Sequence, residues 1–240
     1  MHFATAPHAL APTAPGRNEL PATSTCTDSK PVSVKFGWLV QPNGQHGATP
    51  EVLEEQMQHQ TEGWLESIAA VSAVVAQHGP FDGCIAFSQG CTIAVSMVAL
   101  QELQAVHSAS VKSAPTTETS PESPQQLEAS AGMQEQTIAM CNWRLAFVML
   151  CSGHVGVSAE AQSCVRAAAP LQTPSLHVYG SSGADRQVSQ AQSDALAACF
   201  AAPCKRVHDR GHVIPAARSD VDAYQAFFAS ALGQRSQAAA

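Results

Sequence analysis

The sequence predicts an α/β protein: a three-layer α/β/α sandwich with a mostly parallel sheet. Three observations carry that prediction. From Pro50 onward, short apolar runs of strand length alternate with segments of helical periodicity. One of those runs, Cys84-Ile85-Ala86-Phe87, passes straight into Ser88-Gln89-Gly90 and a second apolar stretch, Thr92 to Leu100, as a strand turning abruptly into a helix would. Finally, 240 residues suffice to bury one core of ordinary size, so residues 1–240 are read as a single domain.

Taken in order, residues 2–6 are a short apolar patch, followed to about Pro31 by Pro/Ala/Thr-rich sequence that reads as loop. Residues 32–40 alternate and then turn apolar before Pro42-Asn43-Gly44, the pattern of a strand or a packed segment. Over residues 50–78 apolar side chains recur at helical spacing through Trp64, Ile68, Val71 and Val75. Glu51, Glu54 and Glu55 lie near the start and Gly79-Pro80 at the stop, so a helix is expected. The elbow strand and a second helix follow. Residues 108–136 are dominated by Ser, Thr, Pro, Glu and Gln, with hardly any large apolar group to offset the entropy of ordering. They are expected to be a disordered insertion. Strands are then expected at 145–151, 175–179 and 205–208, helices at 190–200 and 220–232, and a disordered tail at 233–240.

Composition narrows the function. Twelve Lys+Arg against 19 Asp+Glu give a net charge of −7, which disfavours capture of nucleic acid or of an anionic membrane surface. Small-molecule or protein partners fit better. The eight cysteines form no C-x-x-C pair, and several lie in apolar runs where free Cys acts as a small hydrophobe. A reducing compartment is expected, with no metal site and no cofactor. No apolar stretch approaches the ~20 residues that span a bilayer. A cytoplasmic or nuclear protein follows, since residues 1–18, with Arg17 as their only Lys or Arg and no acid, make a poor organelle transit peptide.

In a parallel sheet, ligands bind beyond the carboxyl ends of the strands. Three strand ends carry reactive groups: Ser88; Asp185, after His177-Val178-Tyr179-Gly180; and His212, in "DRGHVIP" after Arg206-Val207-His208. A serine hydroxyl is a weak nucleophile until an imidazole takes its proton, and that imidazole needs a carboxylate to fix its tautomer. A strand–serine–helix elbow also demands small residues two before and two after the serine, here Ala86 and Gly90. Singly, Ser88 reads as a helix N-cap, Asp185 as a turn former and His212 as a helix-flanking histidine. Their chain order and their three strand-end positions together favour a triad. Among competitors, Asp209 is three residues from His212 and suits turn capping, and His208 lies on the last strand and reads as structural. His46-Gly47 reads as ordinary loop.

The stretches "GPFDGCIAFSQG", "LAFVMLCSGH", "TPSLHVYG…AD…V" and "RGHVIPA" resemble the family of serine hydrolases that includes fungal hydrolases and the ovarian-cancer-associated esterase-like proteins, a branch of the α/β-hydrolases. The resemblance runs from about Val34 to Phe228, interrupted by 108–136, and "APH" at 6–8 resembles the end of the family's second strand. It implies Ser88 as nucleophile, Asp185 as acid, His212 as base and the Gln89 N–H as one oxyanion donor. The implied activity is hydrolysis of small-molecule carboxylic acyl esters through an acyl-enzyme. An acyl thioesterase, or a non-catalytic descendant that keeps the pocket for binding, would fit the same residues.

The chain departs from the family pattern in three places. Ala86 stands where the elbow normally begins with Gly, and the acid loop "GSSGAD" is two residues longer than the family's "G-x-x-D". The family also opens with an apolar strand ending in "H-G-x", whose loop supplies a second oxyanion N–H, and nothing before Met1-His2-Phe3 plays that part. The expectation is an N-terminally truncated sheet, open beside the Ser88 strand, that folds poorly or hydrolyses weakly. A lid is expected from residues 9–61, with Trp38 either lining it or joining the core.

Overall fold

The computed structural model describes residues 2–9, 36–39, 61–113, 141 and 143–238. Within them, β1 (His8–Ala9) and β2 (Phe36–Gly37) form a small antiparallel pair. Helix α1 (Trp64–His78) leads to β3 (Gly83–Phe87), which turns into α2 (Gly90–Ser113). After these come β4 (Phe147–Cys151), α3 (Ala159–Ala168), β5 (Ser175–Gly180), α4 (Gln190–Ala197), β6 (Pro203–His208) and α5 (Arg218–Ala238). Strands β3 to β6 make one all-parallel sheet in the order β3-β4-β5-β6. Each therefore delivers its carboxyl end, and the loop beyond it, to the same edge.

The pleat explains how both faces are covered. Alternate residues of a strand point to opposite faces. On β4, Val148 and Leu150 join a core formed with Trp64, Ile68 and Val75 of α1, Val95 and Val98 of α2, and Val165 of α3. Met149 and Cys151 point the other way, where Leu176 and Val178 of β5 meet Tyr224, Phe227 and Phe228 of α5. A strand apolar at every position is what burial on both faces requires, and β4 is buried at all five. Each such Val, Leu or Met side chain contributes about 1.5–3 kcal/mol by leaving water. Gln101 on α2 fixes the start of β4: its Oε1 accepts the Leu145 N–H at 2.7 Å, and its Nε2 donates to the Leu145 carbonyl at 3.1 Å.

β3 lies at one edge of this sheet among the described residues. Cys84 and Ala86 face the larger core. Ile85 and Phe87 point to the opposite face and stay 46% and 38% exposed, because α5 covers β4 and β5 and leaves β3 bare.

Several boundaries differ from expectation. Of the helix expected over 50–78, the described part runs from Trp64 to His78, immediately after Gly63 with its left-handed φ of 89°; residues 50–60 lie outside the described set. Helix α2 continues to Ser113, so residues 108–113 of the expected insertion are helical, and 114–136 are outside the described residues. Likewise α5 runs to Ala238, so residues 233–238, expected as a disordered tail, extend the helix. Helix α3 was not expected at all. Its start is written in Ser158, whose Oγ accepts the Ala161 N–H at 3.3 Å and donates to Glu160 at 2.6 Å. No described helix is long and apolar enough to cross a membrane.

Candidate active site

Ser88 follows β3 directly. Its N–H donates to the Cys151 carbonyl at 2.9 Å, prolonging the ladder with β4 by one residue. There the backbone swings to φ 53°, a left-handed conformation rare for a side chain larger than glycine and costing on the order of 1–2 kcal/mol. The first helical bonds follow at once, Cys91 N–H to Ser88 O at 3.0 Å and Thr92 N–H to Gln89 O at 3.1 Å. This is the strained strand-to-helix elbow expected from the apolar run into Ser88 and the small residues around it. It has slightly more room than expected: a Cβ placed on Gly90 would stand 4.0 Å from the Ala86 Cβ and 3.5 Å from the Trp38 indole nitrogen, so one methyl would fit.

Gln89, whose backbone N–H is the expected oxyanion donor, makes two hydrogen bonds with its side chain. Its Oε1 accepts the Trp38 N–H at 2.7 Å, and its Nε2 donates to the Leu39 carbonyl at 3.0 Å. The Trp38 carbonyl accepts a hydrogen bond from Ser67 Oγ. Trp38 and the buried Leu39 are thereby tied to the elbow, and Trp38 is half-buried against the core. No local sequence pattern could show a contact across 50 residues. His46-Gly47 and most of the expected lid lie outside the described residues.

Asp185 and His212 come together as expected. The Nδ1 of His212 lies 2.8 Å from Asp185 Oδ2, with the two side chains 11% and 1% exposed. The other carboxylate oxygen accepts the Gln187 N–H at 2.9 Å and the Val188 N–H at 3.0 Å. Burial pushes the Asp185 carboxyl up, but the bonds from Val188, His212 and Gln187 outweigh it and hold the group below its ordinary value. Asp209 takes no part in this pair. The longer acid loop is absorbed by a turn, in which Ser181 N–H donates to His208 O at 2.7 Å and Ala184 N–H to Ser181 O at 2.9 Å. Asp185 then returns against the end of β5, where a Cβ on Gly180 would fall 2.8 Å from the Asp185 Cβ and 3.0 Å from its backbone nitrogen. Gly180→Ala must displace Asp185. It is expected to slow labelling by a serine-directed probe about 10–100-fold while leaving the far-UV circular dichroism unchanged.

The Phe87 ring lies against the His212 imidazole, with centroids 4.7 Å apart and planes at 49°. The residue before Ser88 thus touches the ring expected to serve it, although no hydrogen bond joins the Ser88 and His212 side chains among the described residues. Exposed Ile85, Phe87, Val213 and Ile214 bring apolar surface to the two segments that carry Ser88 and His212. His208 makes no hydrogen bond to the pair: its Nδ1 accepts the Arg210 N–H at 3.2 Å, and its Nε2 is buried without a hydrogen-bond partner.

His154, which the sequence did not single out, is buried in the loop after β4 with its Nε2 unpartnered. Burial, reinforced by the charge of nearby His212, drives its pKa from 6.5 down to about 4. His177 on β5 is likewise lowered to about 4 by burial and then by Lys205. Both are therefore neutral in the folded chain at pH 7. Between pH 6.5 and 4 the unfolded chain binds protons that these two refuse, so stability is full above 6.5 and falls through that window. The loss approaches about 3 kcal/mol for each histidine at the acid end. Denaturant midpoints measured from pH 7.5 to 4.5 should fall accordingly, and replacing His177 with Phe should flatten the curve.

The family model described as "Serine hydrolase (FSH1)" matches residues 1–224. The chain belongs to this serine hydrolase family. Its parallel sheet and flanking helices are the α/β-hydrolase-like fold of the FSH1 family. Similar curated proteins include Esterase OVCA2 of Danio rerio, 30% identical over 69% of this chain and 56% of its own length. Esterase OVCA2 of Homo sapiens is 28% identical over 69% and 56%. Rhodanese-like domain-containing protein 6 of Arabidopsis thaliana is 31% identical over 80% of this chain but only 28% of its own length. This FSH1-family chain thus spans a little over half of the two esterases and about a quarter of the plant protein.

Proposed function

We propose that the chain hydrolyses carboxylic acyl esters with Ser88 as nucleophile, His212 as base and Asp185 as the acid that orients it. The observation that carries this reading is Ser88 held left-handed between a parallel strand and a helix, with the Asp185-bonded His212 ring resting on the neighbouring Phe87. His212 Nδ1–H donates to Asp185, which leaves Nε2 unprotonated and able to take the serine proton. Ser88 Oγ then attacks the ester carbon, and the developing oxyanion is met by the Gln89 N–H at the start of α2. The tetrahedral adduct collapses as the imidazolium returns the proton to the leaving alkoxide. Water, deprotonated by the same imidazole, attacks the acyl-enzyme and releases the carboxylate and free Ser88.

The exposed apolar side chains of Phe87, Val213 and Ile214 favour an acyl chain over a charged substrate. A thioester would follow the same steps with a thiol as leaving group. The competing reading, a pocket that binds without catalysis, draws on the missing Ser88–His212 hydrogen bond. Stopped-flow hydrolysis of p-nitrophenyl esters of two to twelve carbons, beside matched acyl thioesters, separates these readings. A burst of one nitrophenol per chain followed by slow turnover, larger for longer acyl groups, supports the esterase. Saturable binding of the same esters by a folded chain, with no burst, supports the binding module.

A further inference from the structure

We infer that Asp220, in the first turn of α5, is a positioning residue that sets the loop carrying His212; the inference rests on the hydrolase reading for its consequence, not for its geometry. Asp220 is 5% exposed and accepts four hydrogen bonds. Its Oδ1 takes two from Arg206 of β6, Nε at 3.0 Å and Nη2 at 2.6 Å. Its Oδ2 takes the Arg210 Nη1 at 3.2 Å and the Ala217 N–H at 3.2 Å. Arg210 stands two residues before His212 and Ala217 five residues after it. One carboxylate therefore closes both ends of the loop that holds the imidazole and ties both to the strand from which the loop departs. Two further bonds complete the clasp: Asp220 N–H to Ala217 O at 2.8 Å, and Tyr224 OH to Pro215 O at 3.1 Å.

The choice of acid is informative. A helix-start cap needs one acceptor, which Asn supplies as well as Asp. Here both oxygens are used, each meeting a guanidinium, and an amide in this place would turn an NH2 group toward one of the arginines. Arg206, hydrogen-bonded twice to one oxygen, holds the Asp220 carboxyl below its ordinary value. The Asp185–His212 bond itself draws nothing from this cluster. What the cluster supplies is the path of residues 209–217, and with it the place where His212 meets Asp185 at 2.8 Å. A displacement of about 1 Å at such a centre can cost on the order of 10²-fold.

Two independent readouts test this. Asp220→Asn removes the charge that both guanidinium groups meet and can weaken the whole fold, so Arg210→Ala is the cleaner variant: the Arg210 side chain is 48% exposed and cuts only one end of the clasp. Its rate of labelling by a fluorophosphonate probe should fall about tenfold, as when a supporting hydrogen bond behind a ligand is removed. Arg210→Lys, which can still reach Oδ2 with one N–H, should recover most of that loss. Arg218→Ala, which breaks an exposed pair with Asp222, should label at the native rate. In proton NMR, the far-downfield Nδ1–H signal of His212 bonded to Asp185 should weaken in Arg210→Ala and Asp220→Asn at temperatures where both remain folded. Native-rate labelling by Arg210→Ala with its downfield signal intact overturns the inference, as does Arg210→Lys labelling as slowly as Arg210→Ala. A native chain that never labels, yet shows the signal and loses it in the variants, keeps the positioning role and removes the hydrolase reading.

Discussion

Ser88→Ala is expected to abolish ester hydrolysis and probe labelling, by a factor on the order of 10⁵–10⁶ in the acylation rate, because the proposed acyl-enzyme forms on the Ser88 hydroxyl. The elbow adds a second consequence. At φ 53° Ser88 carries backbone strain that alanine would share and glycine would not. Ser88→Ala should therefore melt close to the native chain, whereas Ser88→Gly should melt no lower and equally lack activity. Thermal melts beside hydrolysis assays check both halves. A Ser88→Ala chain that still hydrolyses esters would move the chemistry elsewhere.

Asp185→Asn is expected to slow acylation by about 10⁴-fold with little change in stability. The asymmetry of the carboxylate is the reason. An asparagine can keep its carbonyl on the Gln187 and Val188 N–H groups, preserving the turn. It then presents an NH2 to His212 Nδ1, in place of the 2.8 Å bond to Oδ2, and stabilises the wrong tautomer. The imidazole would point an N–H at Ser88 and could not take its proton. The opposite flip would restore the tautomer and break the turn, so a lowered melting temperature with near-native labelling would show that arrangement. A loss of less than about tenfold with the turn intact would mean that Asp185 is not the orienting acid.

The parts of the fold legible in the sequence are those where local chemistry and long-range packing demand the same residue. β4 had to be apolar throughout because both its faces are covered, and Ala86 and Gly90 flank the strand-to-helix turn at close quarters, a Cβ on Gly90 standing 4.0 Å from that of Ala86. Asp185 and His212 could be proposed because a parallel sheet gathers strand ends at one edge, whatever the length of the loop between them. Helix α3 was not anticipated because it is short and rich in alanine, with only Ala161, Cys164 and Val165 buried and Ser158 as its main signal. The end of α5 was lost because backbone hydrogen bonds carry a helix past Leu232 without an apolar face to announce it. The Gln89 clamp on Trp38 and Leu39, and the closure of the His212 loop on Asp220, join residues distant in sequence or joined by ion pairs that no periodicity encodes. The residue types were visible; which of them would meet was not.

The central claim, that Ser88 is a nucleophile activated by His212, is tested most directly by intact-mass spectrometry of the native chain after fluorophosphonate treatment, with peptide mapping of the adduct. The account predicts one phosphonyl group per chain, on Ser88, formed more slowly in Asp185→Asn and not at all in His212→Ala. A folded chain that gains no adduct, or carries it on another residue, contradicts it.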